Sequence, residues 1–316
     1  MIAVRYALRS WTGRLGFGLV AVLVIAVAIS YLWVPYDPGR SVPGDRWLGI
    51  SIDHWFGTDG AGKDLFSQVL VGVRVSVFVA FASSAIAGLI GLALGVLSAI
   101  TPRYVGEPIA YFIDVLIALP TLVLALVLVG LFKGSLFTVC LAIGFGSGVV
   151  LARIVRAEVA RVLTQDYIMA AASSGTSTWR TVRRHILPNI APIAIVQLSL
   201  IAALAILAEA SLSYLGLLSR ARPSLGRILG DLQGTATVHP GSIVFPGLVL
   251  VIATLGFNLL GDGLRDATDP RLRTGGPTAP TTPSGSTGPA STAVVSPLIP
   301  GAPLPAEAPA RTGATQ

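Results

Sequence analysis

The sequence predicts an all-helical integral membrane protein with six transmembrane helices. Of its 316 residues, 53% are hydrophobic and only 12% are charged, and the mean hydropathy is +0.78. Soluble domains carry about 25% charged residues. Six stretches of 18 or more residues contain no Asp, Glu, Lys or Arg, and the basic residues lie between them. The six stretches are residues 15–34, 75–100, 115–132, 134–152, 190–208 and 241–261.

Each stretch is long enough to cross a bilayer as a helix, since about 20 residues span the hydrocarbon core. Single strands are excluded, because backbone polar groups in lipid must be satisfied within the segment. The first stretch follows Arg5, Arg9 and Arg14, as in a secretory signal peptide. Its apolar run is about 20 residues long, however, and no clear cleavage site ends it. We therefore expect it to remain as an uncleaved first helix.

The distribution of basic residues predicts the orientation. Six helices place both termini on one side, together with the segment around Arg103 and residues 153–184. That side collects 14 of the 22 Lys and Arg, and the other side collects 8. Since basic loops stay in the cytoplasm, we expect both termini to be cytoplasmic.

The chain divides into four regions. Residues 1–34 hold the N-terminus and the first helix, and residues 35–74 form an external loop, in which 64–74 have helical apolar spacing and are expected to lie along the membrane surface. Residues 75–263 hold the other five helices. Residues 274–316 are rich in Pro, Thr, Ser, Ala and Gly, so a disordered cytoplasmic tail is expected.

Several chemistries are excluded by the motifs that the sequence lacks. There is one cysteine, Cys140, so neither a disulfide framework nor a cysteine metal site is expected. Neither of the two lysines, Lys63 and Lys133, lies in a nucleotide-binding P-loop, and no GxSxG hydrolase motif occurs. The net charge of +7 does not indicate nucleic-acid binding, because the arginines occupy short segments between apolar runs.

Two carboxylates lie near the ends of predicted helices. Asp114 precedes the third stretch, where it is expected to cap the helix and favour its dipole. Glu209 follows the fifth stretch, and ionisable groups near the membrane are functional candidates because their burial is costly. Glu209 faces an aqueous pathway, pairs with a partner subunit, or pairs within the chain, and the sequence leaves these alternatives open.

Residues 166–189, DYIMAAASSGTSTWRTVRRHILPN, form a polar hairpin between apolar runs. Its first half predicts a short helix with an alanine surface, and Gly175 permits a left-handed turn. A second helix is expected from about Ser177, a residue type that favours a helix start, to Pro188. Such a smooth helix either docks closely into a groove on another protein, or connects two spans and contacts lipid headgroups through its arginines.

The hairpin resembles the EAA loop of the membrane subunits of binding-protein-dependent ABC importers. The matching residues are Ala170, Ala171, Gly175, Leu187 and Pro188, whereas Met169 stands where the family has Glu. RHILPN at 184–189 is typical of the peptide-importer branch. Further blocks, FGTDGAGKD at 56–64, EASLSYLGLL at 209–218 and the segment 245–273, are similar to elements of the same branch. The likeness is greatest to the second membrane subunit of dipeptide and oligopeptide importers.

This resemblance implies a type I ABC importer (MetI-like) permease fold and a non-catalytic subunit. The implied partners are a second homologous permease, one or two ABC ATPase domains that bind ATP and Mg, an extracytoplasmic substrate-binding protein and the bilayer. The implied location is the bacterial cytoplasmic membrane. The EAA loop, at about 160–190, would couple to the ATPase through Asp166, Tyr167, Ala170, Ala171, Gly175, Ser177, Arg180, Leu187 and Pro188.

Other cargoes and other classes of protein stay open at this point. Systems of this branch also carry haem, nickel chelates and glutathione, so the resemblance favours peptides without settling the substrate. A self-contained channel or secondary carrier would call for inverted repeats and midplane charges, which we do not find in the sequence. A membrane scaffold without transport activity is a third alternative.

Overall fold

The computed structural model describes residues 10–132, 134–218 and 223–268, and these are helical apart from connecting segments. In that part of the chain the only β pairing is an isolated bridge between Thr58 and Asp64. The predicted tail, residues 274–316, lies outside the described residues. The α-helices are α1 (Trp11–Leu32), α2 (Leu65–Ile100), α3 (Arg103–Ile117), α4 (Thr121–Leu131), α5 (Leu136–Leu163), α6 (Asp166–Ser173), α7 (Thr178–Thr181), α8 (Leu187–Tyr214), α9 (Leu225–Leu232) and α10 (Pro240–Thr268).

Within the described ranges, five helices are long and apolar enough to cross a membrane, and the number is six if a bent pair of helices counts as one span. The five are α1, α2, α5, the run Thr178–Tyr214 that contains α7 and α8, and α10. The bent pair is α3 and α4, whose axes meet at 79°. The all-helical membrane fold is therefore confirmed.

The third predicted span is bent sharply at Pro120, as a proline within an apolar span favours. Pro120 stands immediately before α4, and the break lies between Ile117 and Thr121. Proline has no backbone N–H and its ring clashes with the preceding turn, so a bend at this point is expected. The expectation that Asp114 caps a helix start is wrong, because α3 begins at Arg103. Asp114 lies near the end of α3, with its Oδ1 3.7 Å from Nε of Arg153 on α5.

The predicted surface helix at residues 64–74 is also wrong, because these residues enter the second span without a break. α2 has 36 residues, and Asp64 caps its start by accepting hydrogen bonds from the backbone N–H (2.7 Å) and hydroxyl (2.6 Å) of Ser67. Leu65, Val69 and Val73 of the first turns are buried in the protein core. Protein contacts, not the lipid surface, cover their apolar face.

The segment between α1 and α2 is packed onto the start of α10. Trp47 stacks on His239 with ring centroids 4.1 Å apart, and Phe56 stacks on Phe245 at 4.3 Å. Asp59 closes the FGTDGAGKD turn, because its Oδ1 accepts from the backbone N–H of Lys63 at 2.9 Å. The motif therefore has a structural explanation.

Small residues bring α2 and α5 together. A Cβ on Gly95 would lie 2.6 Å from the carbonyl oxygen of Ala152, and one on Gly91 would lie 2.6 Å from the side chain of Leu151. Both distances are too short for a side chain, so the two helices can pack this closely only with glycine at these positions.

Candidate functional site

The first half of the polar hairpin and its turn fold as the sequence predicts, whereas the second helix continues through a π-helical turn and Pro188 into α8. α6 runs Asp166–Ser173, and Gly175 follows with φ of +75°, in the left-handed region that favours glycine. Ser177 occupies the cap position of α7 with an extended backbone, but its side chain makes no capping hydrogen bond. Asp166 lies in the first turn of α6, where a carboxylate favours the helix dipole.

One side of α6 packs against the protein, and another side is exposed. Ile168 is 5% exposed and belongs to an apolar cluster that joins the hairpin to α5 and α8. The cluster also contains Val159, Val162, Val182, Ile186 and Ile190. By contrast, Met169 is 55% exposed, and Ala170 and Ser173 are exposed too. The predicted alanine surface is thus accessible to a partner, and Ala171 at its border is half-buried.

Directly after α7 in the chain, a π-helical turn, Val182–Ile186, leads into α8. The turn stands before Pro188, which cannot donate the backbone hydrogen bond that an α-helix would need there. Single π-helical turns are frequent at functional positions in helices. Arg180, Arg183 and Arg184 are exposed on this arm, and the half-buried Leu187 packs against the apolar cluster.

Two side chains tie the hairpin to α8. The Nδ2 amide of Asn189 donates to the Tyr167 hydroxyl at 2.9 Å and to the backbone carbonyl of His185 at 2.8 Å. The rings of Tyr167 and His185 are in contact, with centroids 6.2 Å apart. Asn189 and Ile168 were not predicted as site residues from the sequence. The only signal was the RHILPN motif, whose last residue is Asn189.

Glu209 lies apart from the hairpin, near the opposite end of α8, and is fully buried. Its Oε1 accepts from the hydroxyl of Ser213 at 2.7 Å and its Oε2 from that of Ser76 at 3.3 Å. Ser224, the cap of α9, also hydrogen bonds to this carboxylate. These contacts join α8, α2 and α9, so they favour the alternative of pairing within the chain.

Metal-ligating clusters are absent from the described residues. No group of three or more His, Cys, Asp or Glu side chains that could ligate a metal occurs in residues 10–132, 134–218 and 223–268. The exposed face of the hairpin is one feature of the described chain that is open to a partner macromolecule. A bundle of apolar helices of this length defines a multi-pass membrane protein.

Comparison with known families makes the assignment specific. Residues 91–274 match the model of the family described as binding-protein-dependent transport system inner membrane component. The match covers more than half of the chain and includes the hairpin, α8 and α10. The chain belongs to this family.

Curated relatives extend the similarity toward the N-terminus. A dipeptide transport system permease protein of Alkalihalophilus pseudofirmus is 37% identical over 73% of this chain and 76% of its own length. An oligopeptide transport system permease protein of Bacillus subtilis is 35% identical over 81% of this chain and 84% of its own. A glutathione transport system permease protein of Pectobacterium atrosepticum is 35% identical over 81% of this chain and 86% of its own length.

The fold is shared with a solved transporter. An inward-facing structure of the MetNI methionine ABC transporter superposes with a TM-score of 0.55 at 19% sequence identity. The match covers 64% of this chain and 97% of that one. At this identity the comparison establishes the MetI-like fold.

Proposed function

We propose that this chain is a permease subunit of an ATP-driven importer that moves di- to oligopeptides across the bacterial cytoplasmic membrane. The observation that carries the proposal is the 35–37% identity, over about three quarters or more of the chain, to permeases named for dipeptide and oligopeptide transport. In this proposal the chain performs no catalysis and binds no cofactor, and ATP and Mg are bound by a partner.

The hairpin is the proposed contact with the ATPase. Its exposed alanine surface on α6 lets a groove approach the backbone closely, and the apolar cluster around Ile168 attaches it to the bundle. Closure of two ATPase domains would displace the docked hairpin and move the helices attached to it. Such coupling requires contacts that differ between the two states. The proposed coupling residues are Asp166, Tyr167, Ala170, Ala171, Gly175, Ser177, Arg180, Leu187 and Pro188.

The other partners follow from the same proposal. A second, homologous permease subunit would complete the pathway of the peptide across the membrane, and a substrate-binding protein would deliver peptides from outside. One or two ATPase domains would dock on the cytoplasmic side, where six of the basic residues lie in residues 153–184. Both termini would be cytoplasmic, as the positive-inside rule indicates.

The relative named for glutathione transport favours glutathione as a second candidate cargo. The deciding experiment measures uptake in a strain that lacks this chain, against dipeptides, oligopeptides, glutathione, nickel chelates and haem. We expect the strain to lose peptide uptake and to regain it when the intact chain is supplied. Loss of glutathione uptake alone, or of chelate or haem uptake alone, would contradict the peptide assignment.

A further inference from the structure

The contact between Tyr167 and Asn189 lies where the docking surface meets a transmembrane helix. Tyr167 is the second residue of α6, and Asn189 is in the first turn of α8. The two residues are 22 positions apart in sequence, and their side chains meet at 2.9 Å. This hydrogen bond therefore spans the whole hairpin, from its first turn to the helix that follows it.

A second described attachment of α6, through Ile168, is apolar. Ile168 lies in one cluster with residues of both arms of the hairpin, and the hydrophobic effect that stabilises such a cluster has no directional preference. A hydrogen bond, in contrast, weakens steeply when its angle changes. The Tyr167–Asn189 bond thus sets the position of α6 along α8 in a way that the apolar cluster does not.

The start of α8 is also a weak point of its backbone. The π-helical turn Val182–Ile186 and Pro188 interrupt the regular ladder of hydrogen bonds there. Asn189 bridges this interruption, because the amide that donates to Tyr167 also donates to the carbonyl of His185 inside the π-helical turn. Both hydrogens of the amide are used, which holds its side chain in one orientation.

We infer that Tyr167 and Asn189 form a strut that makes α6, the π-helical turn and the start of α8 move as one body. Movement of a partner docked on α6 is then transmitted to the transmembrane part of α8. Without the strut, α6 slides on the Ile168 cluster and part of the movement is lost. Both are positioning residues, and the inference rests on the proposed function, since it assigns α6 to an ATPase domain.

The test uses the complete complex of both permeases, the ATPase domains and the binding protein in proteoliposomes. The measured quantity is the number of dipeptide molecules imported per ATP hydrolysed. Tyr167→Phe removes only the hydroxyl, and Asn189→Ala removes the amide. We expect the import ratio to fall about three- to tenfold in each variant, the effect of one hydrogen bond. Asn189→Ala changes no proposed ATPase contact, so it is expected to retain the ATPase domains and to continue hydrolysis.

The double variant and a matched control sharpen the test. Because Asn189→Ala already breaks the bond to Tyr167, the double variant is expected to show a ratio no lower than that of Asn189→Ala. Tyr104→Phe deletes the hydroxyl of an exposed tyrosine on α3 and is expected to leave the ratio unchanged.

Two results would overturn the strut. One is an unchanged ratio in Tyr167→Phe. The other is a parallel loss of import, hydrolysis and assembled complex at a constant ratio, which indicates a role in stability alone. If the proposed function itself were wrong, the unaltered complex would show no ATP-driven import, so the two failures are distinguishable.

Discussion

At the scale of single residues, the buried carboxylate of Glu209 is held by hydrogen bonds. Glu209 is fully buried, and its carboxylate accepts hydrogen bonds from serines of three segments. Within the described residues no Lys, Arg or His forms an ion pair with it. Buried carboxylates without hydrogen bonds are strongly unfavourable, so the serines are what makes this position tolerable. Glu209 accordingly joins α2, α8 and the start of α9.

The Glu209→Ala variant is expected to lose about 2 to 4 kcal/mol of unfolding free energy, since it leaves hydroxyls without their acceptor and opens a cavity. Glu209→Gln keeps one carbonyl oxygen as acceptor and is expected to lose about 1 kcal/mol. Thermal unfolding of the purified protein measures both. The control is Glu107→Ala, which removes an exposed carboxylate that pairs with Arg103 and should shift unfolding little. Equal effects of all three changes would contradict the structural role.

Gly95 and Gly130 give a second prediction, with opposite signs. A methyl on Gly95 meets the backbone of Ala152 on α5, and no methyl-sized space exists there, so Gly95→Ala should lose about 1 to 3 kcal/mol. On α4, Gly130 has no atom within 4 Å of an added Cβ, and Gly130→Ala should gain up to about 1 kcal/mol from helix propensity. The same unfolding assay compares them. A stable Gly95→Ala protein would mean that α2 and α5 are farther apart than described.

At the scale of elements, the hairpin depends on its left-handed turn. Gly175 has φ of +75°, and no atom lies within 4 Å of the position that a Cβ would take. Any effect of a side chain there therefore comes from backbone strain, which costs about 1 to 3 kcal/mol per residue. A valine relieves this strain by changing the angle between α6 and α7, and the docking surface then moves.

We accordingly expect Gly175→Val to reduce peptide uptake and substrate-stimulated ATP hydrolysis together in the assembled complex. Gly216→Val is the matched control, because Gly216 has φ of +74° and equally open space but lies at the other end of α8. Its expected effect is a similar loss of stability with hydrolysis retained. Unchanged substrate-stimulated hydrolysis in Gly175→Val would contradict the coupling role of the hairpin.

The elements also show which features a sequence can predict. The length of the apolar stretches identified the spans, because lipid imposes a minimum helix length. Gly175 predicted the left-handed turn, because glycine adopts that conformation without strain. The start of α2 was predicted wrongly, because protein contacts replace lipid there. Leu65, Val69 and Val73 belong to α2 and are buried by helices that are distant in the sequence. The tie from Tyr167 to Asn189 was missed because it joins positions far apart in the chain, and no local pattern encodes such a contact.

At the scale of the whole molecule, the orientation can be tested with cysteines. Cys140 is buried, so a Cys140→Ala background supplies a chain without reactive thiols. Ser41, in the segment between α1 and α2, and Ser174, in the hairpin, are both exposed. We expect an impermeant thiol reagent to label Ser41→Cys in intact cells and Ser174→Cys only after the membrane is opened. The reverse pattern would overturn the cytoplasmic assignment of the hairpin.

Reconstitution tests most directly the proposal that this chain transports only as part of an ATP-driven complex. Uptake of a labelled dipeptide is compared between proteoliposomes that hold this chain alone and proteoliposomes that hold it with the second permease, the ATPase domains and the binding protein. We predict ATP-dependent uptake by the complete complex and none by the chain alone. Uptake by the purified chain without ATP would contradict the claim and indicate a self-contained carrier or channel.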